Sequence, residues 1–406
     1  MTWASTRLDA ICSIQTGPFG SQLHQEDYVE VGTPIITVEH LGGYRIKREN
    51  LPMVSEDDAE RLRKYSLLPG DVVFSRVGSV DQSSSVTGGE EGWLFSGRCL
   101  RVRPHLDKVD PIFVYYALNT SEVKSFIMAI AVGATMPSIN TAILSEVQIP
   151  SPPIEQQSRI SSILRSLDDK IAANQTAIRN GDALMLAHYK ATPKCPAEPF
   201  EQVCDVFGGS TPSTKRKEFW GGGIQWATPT DLTGLNGPWL TSTERTVTNA
   251  GLQSMSSALH PEGSILMTSR ATIGSVALAA EPVATNQGFI VVRASEELTP
   301  WIFCQLQDRV REFEAWSNGA TFLELSRGNF KKLPFHRTGP EALESFNQKA
   351  WPILQMCKSK QAENVSLAKI RDELLPLLMS GKITVKEAEQ EATSAGADIA
   401  GEENEA

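Results

Sequence analysis

Two strand-like runs of the sequence lead into side chains that can contact phosphate groups or the edges of nucleic-acid bases. Residues 69–79 read PGDVVFSRVGS, and residues 261–275 read PEGSILMTSRATIGS. A strand that delivers hydroxyl groups and an arginine into a glycine-containing turn suits such contacts, because the arginine fork fits phosphate or guanine. We align Arg76 with Arg270, which requires one extra residue before the second arginine. A surface salt bridge is the alternative interpretation of either arginine.

A basic stretch near the start of the second half of the chain is a further candidate for phosphate contact. Lys215, Arg216 and Lys217 follow closely on Thr211 and Ser213. Hydroxyl and cationic side chains of this kind supply most protein contacts to the nucleic-acid backbone. A solvated loop is the alternative interpretation.

Polar residues also follow two other strand-like runs, where readers of base edges could lie. Thr228, Thr230 and Asp231 come after the apolar Trp226, and His40 occupies the comparable place after TPIITVE. We predict that Trp226, like Trp220, belongs to a hydrophobic core rather than to a stacking platform for bases.

Motifs for catalysis are absent from the sequence. There is no G-x-x-x-x-G-K-[ST] phosphate loop, no G-x-S-x-G elbow and no H-E-x-x-H helix. The six histidines and six cysteines are scattered, without the spacing of metal ligands. We therefore predict no catalytic residue and no metal site. An enzyme with a dispersed active site, a nuclease or methyltransferase, remains an alternative.

The elements that must position these side chains occur twice. Gly-Ala-Thr at residues 133–135 and again at 319–321 is followed by a hydrophobic-proline step and then by a long helical pattern. The two copies are offset by roughly 185–190 residues, far more than the ~20–50 residues of a solenoid repeat. The repeat therefore predicts the duplication of a whole domain with its helix.

We divide the chain into five segments on this basis. Residues 1–150 and 193–337 are predicted to be similar α+β domains, in which strands come first and a helix comes late. Residues 151–192 and 338–385 are predicted to be long helices, and 386–406 an acidic, disordered tail. The predicted elements of the domains are strands Thr33–Glu39, Asp71–Ser75, Cys99–Arg103, Ser264–Thr268 and Gly288–Arg293, and helices Pro111–Ile130 and Pro300–Trp316.

The first long helix carries an apolar stripe in alternating steps of four and three residues, which is typical of a coiled-coil seam, and the second carries a looser version of it. Two such helices in one chain would most economically pack on each other, and a pseudo-twofold repeat would make them antiparallel. Asn174 and Asn364 interrupt the two seams. They are either partly exposed residues at the edge of the stripe or buried amides that fix the register. A helix of about 36 residues spans about 54 Å, enough to separate two DNA-reading modules by one turn of about 34 Å.

Composition and charge set broad limits on function. The 406 residues are 41% hydrophobic and 21% charged, as in an ordinary globular protein of two or three domains. No membrane span, no secretory signal and no paired cysteines are evident, so we expect a cytoplasmic protein. The net charge is −10, but residues 383–406 contribute −6 of it. Clustered arginines and lysines in the remainder permit DNA binding without proving it.

Four stretches of the sequence resemble the specificity subunits of type I restriction-modification systems. The string IPSPPIEQQSRISSILRSLDDKIAAN (residues 149–174) is similar to the central conserved region of that family, and IRDELLPLLMSGKITV (370–385) to the distal one. GPFGSQLHQEDYVEVGTPIITVEHL (17–41) and GGSTPSTKRKEFWGGGIQWATPTDL (208–232) look like openings of target recognition domains. The resemblance covers nearly the whole chain except the acidic tail.

The resemblance implies a DNA-binding role without catalysis. Each globular domain would read one half of a bipartite double-stranded target, and the helical pair would set the unread spacer. Two methyltransferase subunits using S-adenosylmethionine and two restriction subunits using ATP and Mg²⁺ would be the partners, so this chain itself would need no cofactor. The side chains predicted to contact DNA are Ser21, His40, Ser75, Arg76, Ser79, Thr211, Ser213, Lys215, Arg216, Lys217, Thr228, Thr230, Asp231, Ser269, Arg270 and Thr272. A protein–protein scaffold is the alternative from another class.

Overall fold

The chain forms two compact units, and the first of them is built from two separate stretches of sequence. The computed structural model describes residues 3–19, 22–133, 135–270, 272–317 and 323–394. The first unit comprises Met1–Ala172 and Ser366–Ala406, and the second comprises Ala173–Val365. The two long helices that the sequence indicates as separate segments are therefore divided between the units.

The elements of the first globular part are short strands followed by helices. The strands are β1 (Ser5–Arg7), β2 (Cys12–Thr16), β3 (Tyr28–Val29), β4 (Thr33–Ile36), β5 (Met53–Val54), β6 (Val72–Ser75), β7 (Ser83–Ser85), β8 (Leu94–Phe95), β9 (Cys99–Pro104) and β10 (Gln148–Pro150). The helices are α1 (Leu8–Ile11), α2 (Glu56–Arg61), α3 (Pro111–Leu118), α4 (Ser121–Ile130) and α5 (Thr141–Ser145). The long helix α6 (Ile154–Ala191) follows.

The second globular part has a similar plan. Its strands are β11 (Cys195–Pro199), β12 (Asp205–Gly208), β13 (Trp220–Ala227), β14 (Trp239–Leu240), β15 (Arg245–Val247), β16 (Ile265–Thr268), β17 (Val276–Ala279), β18 (Val283–Thr285), β19 (Phe289–Arg293) and β20 (Pro334–Arg337). Its helices are α7 (Phe200–Val203), α8 (Pro229–Thr233), α9 (Asn249–Gln253), α10 (Thr299–Asp308), α11 (Val310–Ala315) and α12 (Arg327–Lys332). The second long helix, α13 (Pro340–Ser380), precedes α14 (Val385–Ser394).

The sheets of the two units share a common order, except that β3 is additional in the first unit and β14 in the second. In the first unit one sheet runs β2-β9-β6-β7 and another runs β3-β5-β4-β8. In the second unit the corresponding sheets run β12-β19-β16-β17-β14 and β15-β13-β18. The strands β4 and β8 pair in parallel, as do β13 and β18. The α+β architecture that the sequence predicts, with two similar domains, is thus confirmed.

Each unit has its own hydrophobic core, in which the sheet packs against a late helix and the long helices. In the first unit this core includes Phe74, Tyr116, Leu164 and Leu374, all at most 1% exposed. In the second unit it includes Tyr189, Trp301, Phe303 and Leu354, all fully buried. Burial of each such side chain contributes roughly 1.5–3 kcal/mol.

The long helices contact each other within both units. In the first unit Arg371 donates through Nη1 to Asp168 Oδ1 (2.6 Å), and the Tyr116 hydroxyl donates to Asp168 Oδ2 (2.7 Å). In the second unit Asn174 Nδ2 donates to Asn364 Oδ1 (3.0 Å), and Gly181 lies against Cys357. Because the partner's number falls as the first number rises, the helices in the second unit are antiparallel.

One predicted helix is divided in two. The sequence predicted a continuous helix over Pro111–Ile130, but α3 ends at Leu118 and α4 begins at Ser121. Thr120 causes the break, because its hydroxyl accepts a hydrogen bond from the Val123 N–H and so caps a new helix. The late helix of the second unit is divided in a similar way, at Arg309.

The acidic end of the chain also differs from its prediction. Residues 386–406 are predicted to be a disordered tail, but residues 385–394 form α14, and residues 395–406 lie outside the described residues. Glu387 accepts hydrogen bonds from the Thr384 N–H (2.9 Å) and hydroxyl (2.7 Å), which caps the helix. Val385, Ala388 and Ala392 are buried in the core of the first unit, since steps of three and four residues put them on one helix face. The high density of acidic residues masked this short apolar stripe.

Candidate nucleic-acid interface

Strand ends of the second unit converge on a cleft of about 310 Å³. Three predicted contact residues line it, Thr230 from α8 and Arg270 and Thr272 from the turn after β16. The remaining lining residues are Pro229, Thr233, Asn286, Gln287 and Gly288. Arginine, threonine and amide side chains around one concave surface can donate to and accept from base edges or phosphates.

Backbone hydrogen bonds hold the turn after β16, in which Ser269 is buried and Arg270 is exposed. The Ser269 N–H donates to the Gly288 carbonyl (2.8 Å), and the Ser269 carbonyl accepts from the Leu325 N–H (3.0 Å). Ser269 is only 3% exposed, whereas Arg270 and Thr272 are exposed. Ser269 therefore serves the framework of the turn, and its two neighbours reach the cleft.

Arg270 is oriented by an ion pair. Its Nη2 lies 2.8 Å from Glu324 Oε1, and the two side chains are 45% and 44% exposed. A pair at this exposure adds little to stability, because solvent screens it. Its consequence is geometric, since the carboxylate holds the guanidinium at the rim of the cleft.

The start of α8 explains why only one of three predicted polar residues lines the cleft. Asp231 Oδ2 accepts from the Thr228 N–H (2.7 Å) and hydroxyl (2.6 Å), and Asp231 Oδ1 accepts from the Glu244 N–H (2.8 Å). This capping arrangement ties Thr228 and Asp231 into the fold. Thr230 lies between them, is exposed and faces the cleft.

The loop after β12 connects the cleft to the basic stretch. The Thr211 hydroxyl donates to Gln287 Oε1 at 2.6 Å, which places Thr211 beside the cleft. Ser213 is exposed, and its carbonyl accepts from Trp220 Nε1 (3.2 Å). Lys215, Arg216 and Lys217 are exposed beyond it.

The corresponding turn of the first unit corrects our alignment of the two arginines. The Arg76 N–H donates to the Arg98 carbonyl (2.9 Å), and the Arg76 carbonyl accepts from the Ile139 N–H (3.0 Å). These are the bonds that Ser269 makes in the second unit, so Arg76 corresponds to Ser269. The alignment with one extra residue before Arg270 was therefore wrong, and Val77 occupies the place of Arg270. Motif similarity misplaced the arginine because backbone pairing, not residue type, determines the register.

The other predicted residues of the first unit have varied surroundings. Arg76 is half-buried, and its Nη1 donates to the Gly97 carbonyl (3.3 Å). Ser75 is fully buried and donates to the Val77 carbonyl (3.3 Å). Ser79 is exposed, at the place that Thr272 occupies in the second unit. Ser21 lies outside the described residues.

His40 is a capping residue in the structure rather than an exposed polar group. It is 4% exposed, and its Nδ1 accepts from the Thr37 N–H at 3.0 Å. The segment Thr37–Leu41 thus repeats the arrangement of Thr228–Leu232, with histidine in the place of the capping Asp231. The sequence correctly indicated that His40 follows its strand as the polar residues at 228–231 follow theirs. His40 is buried, however, and is not part of the exposed surface.

Sequence reasoning missed the turn between β18 and β19. Asn286 and Gln287 line the cleft, and Asn286 Oδ1 accepts from the Gly288 N–H (2.8 Å). An Asn-x-Gly sequence between two strand-like runs is a recognisable turn, so the signal was present. Glu324 could not have been found in this way, because it lies 54 positions from the arginine it holds.

The two seam asparagines lie in contact. Asn174 is 1% exposed. Besides its bond to Asn364, its Nδ2 donates to Glu363 Oε2 (2.8 Å), and its Oδ1 accepts from Lys360 Nζ (2.8 Å). A buried amide with this many partners has one well-defined orientation, which is the geometry needed to specify a register.

The described part of the chain contains no group of three or more histidine, cysteine, aspartate or glutamate side chains arranged to hold a metal ion. Burial raises the pKa of the Cys12, Cys99 and Cys204 thiols to about 12. These thiols are therefore protonated near neutral pH and poor nucleophiles. Among the helices described, none combines the length and apolar character needed to cross a bilayer.

Comparisons with known proteins identify the family. The model of the type I restriction modification DNA specificity domain matches residues 1–180 and 199–355. The specificity subunit of the type I restriction enzyme MjaIX of Methanocaldococcus jannaschii is 33% identical over 177 residues, which are 43% of this chain and 41% of that subunit. The specificity subunit of the enzyme HindI of Haemophilus influenzae is 24% identical over 405 residues, covering 79% of this chain and 88% of that subunit.

A solved structure has the same fold. The S subunit of a type I restriction-modification system from M. genitalium superposes with a TM-score of 0.57 at 15% identity, over 93% of this chain and 96% of that one. The family model and the curated relatives confirm the resemblance stated from the sequence. The chain belongs to the family of type I restriction-modification DNA specificity proteins, the non-catalytic DNA-recognition components of these systems.

Proposed function

We propose that this chain recognises a bipartite DNA sequence, one half with each unit, and assembles methyltransferase and restriction subunits around it. The observation that carries the proposal is the repetition of one strand-end framework with different side chains in the two units. Two copies of one surface with different chemistry suit an asymmetric target, because each half would present its own pattern of donors and acceptors. In the second unit the base-reading surface would be the cleft around Arg270.

The partners in this proposal supply the chemistry. Two methyltransferase subunits would hold S-adenosylmethionine and methylate the DNA, and two restriction subunits would use ATP and Mg²⁺. The complex would act in the cytoplasm. The helices α6 and α13 would set the length of the unread spacer, and Asn174 with Asn364 would fix their register.

Methylation mapping tests the proposal. The chain is expressed with the methyltransferase subunit of its host, and N6-methyladenine is mapped across the host DNA. We expect a bipartite methylated motif that disappears when this chain is omitted. A stable complex that leaves no such motif would contradict the recognition role and favour the alternative of a protein scaffold.

The role of the helices is tested with the same readout. One helical turn is inserted into both helices, within 160–180 and the facing part of α13. We expect the methylated half-sites to keep their sequences while the spacer between them changes. An unchanged spacer in an active variant would refute the proposal that helix length sets it.

A further inference from the structure

Arg245 lies on a pair of tryptophans at the edge of the second unit. Its guanidinium carbon is 3.6 Å from the centroid of the Trp220 ring and 5.2 Å from that of Trp226. The two indoles meet edge to face, with centroids 4.9 Å apart. The antiparallel pairing of β15 with β13 sets Arg245 opposite Trp226, which explains why these side chains meet.

The tryptophans are fixed, so they offer the arginine a rigid support. Trp220 Nε1 donates to the Ser213 carbonyl (3.2 Å), and Trp226 Nε1 donates to the Ser210 carbonyl (3.1 Å). With both indole N–H groups occupied, the rings can present only their faces and edges to Arg245. A guanidinium stacked on an aromatic face keeps the N–H donors at its rim available for a further partner.

That further partner is not a carboxylate of the described chain. Arg245 is exposed, and the ion pairs found among the described residues do not include it. The surroundings are basic, since Lys215, Arg216 and Lys217 are exposed on the adjoining loop. Arg216 is stacked as well, with its guanidinium carbon 5.3 Å from the centroid of the Phe219 ring. Two acids, Glu218 and Glu244, lie in the same stretches of sequence, so an excess of positive charge remains.

This basic surface is continuous with the cleft around Arg270. Within the loop after β12, Thr211 bonds Gln287 in the cleft, while its neighbour Ser210 bonds Trp226 beneath Arg245. On the other side, the Glu244 N–H bonds Asp231 of α8, the helix that lines the cleft. Arg245 thus directly follows Glu244, whose backbone N–H is bonded to the helix that lines the cleft.

We propose that Arg245, together with Lys215, Arg216 and Lys217, binds backbone phosphates of duplex DNA beside the cleft. The surface contributes affinity and orientation rather than sequence discrimination, because phosphates are the same at every base pair. This inference rests on the proposed function, since it assigns the phosphate contacts of the same DNA. In this arrangement the Arg245 guanidinium binds the backbone of a duplex whose base edges enter the cleft.

The test replaces Arg245 by methionine, which keeps an apolar stem on the indoles and removes the charge. The full-length chain, with its methyltransferase partner, is titrated against a duplex carrying the mapped target and against a scrambled duplex, at several salt concentrations. We expect Arg245→Met to weaken binding to both duplexes by the same factor and to lower the slope of log Kd against log salt by about 1. Between about 50 and about 200 mM salt, the ratio of the Kd of the variant to the Kd of wild type should therefore fall by about three- to fourfold.

A matched variant separates the local effect from a general loss of charge. Lys349→Met removes one exposed positive charge from α13 and should leave the slope unchanged. A slope for Arg245→Met equal to that of wild type, with or without a lower unfolding temperature, would show a purely structural role and overturn the inference. Weaker binding to the target duplex alone would also overturn it, in favour of base contact. If wild type has no salt-dependent DNA affinity at all, the proposed function itself fails.

Discussion

The two units share their backbone framework at the strand ends but not the side chains that the framework displays. In both, a glycine follows the strand at the edge of one sheet, β2 in the first unit and β12 in the second, at a place where a side chain cannot fit. A Cβ on Gly17 or on Gly209 would come under 3.0 Å from two backbone carbonyl oxygens. The same hydrogen bonds then hold Arg76 in one unit and Ser269 in the other.

The side chains differ at several equivalent positions of this framework. Val77 stands where the second unit has Arg270, and His40 caps a turn that Asp231 caps in the second unit. The buried Leu67 corresponds to His260, because its N–H donates to the Trp93 carbonyl (2.8 Å) just before β8, and the His260 N–H donates to the Val283 carbonyl (2.9 Å) at the start of β18. Constraints on the backbone are thus common to both units, whereas the side chains at these positions are specific to each.

Arginines stacked on tryptophan illustrate the same contrast. In the first unit the Arg48 guanidinium carbon lies 5.5 Å from the Trp93 centroid, but Arg48 also pairs with the buried Glu90. In the second unit Arg245 has the tryptophan support without such a carboxylate. Similar stacking therefore leaves a neutralised arginine in one unit and an available one in the other.

The shared framework can be broken at either glycine, and this is the largest effect we expect. Gly209→Ala and Gly17→Ala should each lower the free energy of unfolding by about 3 kcal/mol, because backbone atoms must move to admit the methyl group. Gly223→Ala is the control, since a Cβ there meets nothing within 4 Å. Urea unfolding with limited proteolysis would show which unit opens. Tolerance of the change at Gly17 but not at Gly209 would contradict a common framework.

We expect acid to destabilise the second unit through the buried His260, whose place is taken by Leu67 in the first unit. Burial, with Arg293 adjacent, lowers the pKa of His260 from 6.5 to about 4. The folded state favours the neutral ring, so stability falls as pH drops below about 6.5, and the loss is complete below about 4. The total is about 3 kcal/mol. His260→Leu, which installs the residue found at Leu67, should remove this dependence. His105→Leu, at a partly exposed position in the first unit, should not.

Unfolding midpoints measured at about pH 7 and about pH 5 check this expectation. The difference between the two midpoints should be smaller for His260→Leu than for wild type. An equal difference in both proteins would show that another group causes the loss of stability in acid.

The smallest effect we expect is a change in DNA affinity on substitution of Arg270, which is equivalent to Val77 in the first unit. Arg270→Val gives the second unit the residue of the first and should weaken DNA binding by about 1–3 kcal/mol. Val77→Ala should leave DNA affinity unchanged. Anisotropy titrations with duplexes altered in one half-site at a time would locate the loss. A loss spread equally over both half-sites would argue against one half-site per unit.

Much of the fold could be predicted because its signals are local. Proline and glycine before β6 and β16 mark turns, and the structure places a positive φ at both Gly70 and Gly263. The apolar spacing of α6 indicated a helix of nearly the observed length. Short capping signals were harder to read, which is why Thr120 and Thr384 were overlooked.

The candidate interface could be predicted only in part. Thr211, Thr230, Arg270 and Thr272 do lie at or beside one cleft. Ser75, Ser269 and His40 are buried instead. The sequence shows that a polar residue follows a strand, but it does not show which of two consecutive residues points outward. A shift of one residue along a strand reverses the face, and pairing with distant segments decides that register.

The sequence by itself determined the duplication, the α+β class and the two long helices, since each rests on motifs or periodicity that can be read along the chain. Only the tertiary structure decided that Arg76 corresponds to Ser269, that Glu324 holds Arg270 and that Arg245 rests on two tryptophans. Those relations join residues far apart in sequence. They depend on how strands pair and where their ends converge, and no local pattern specifies that.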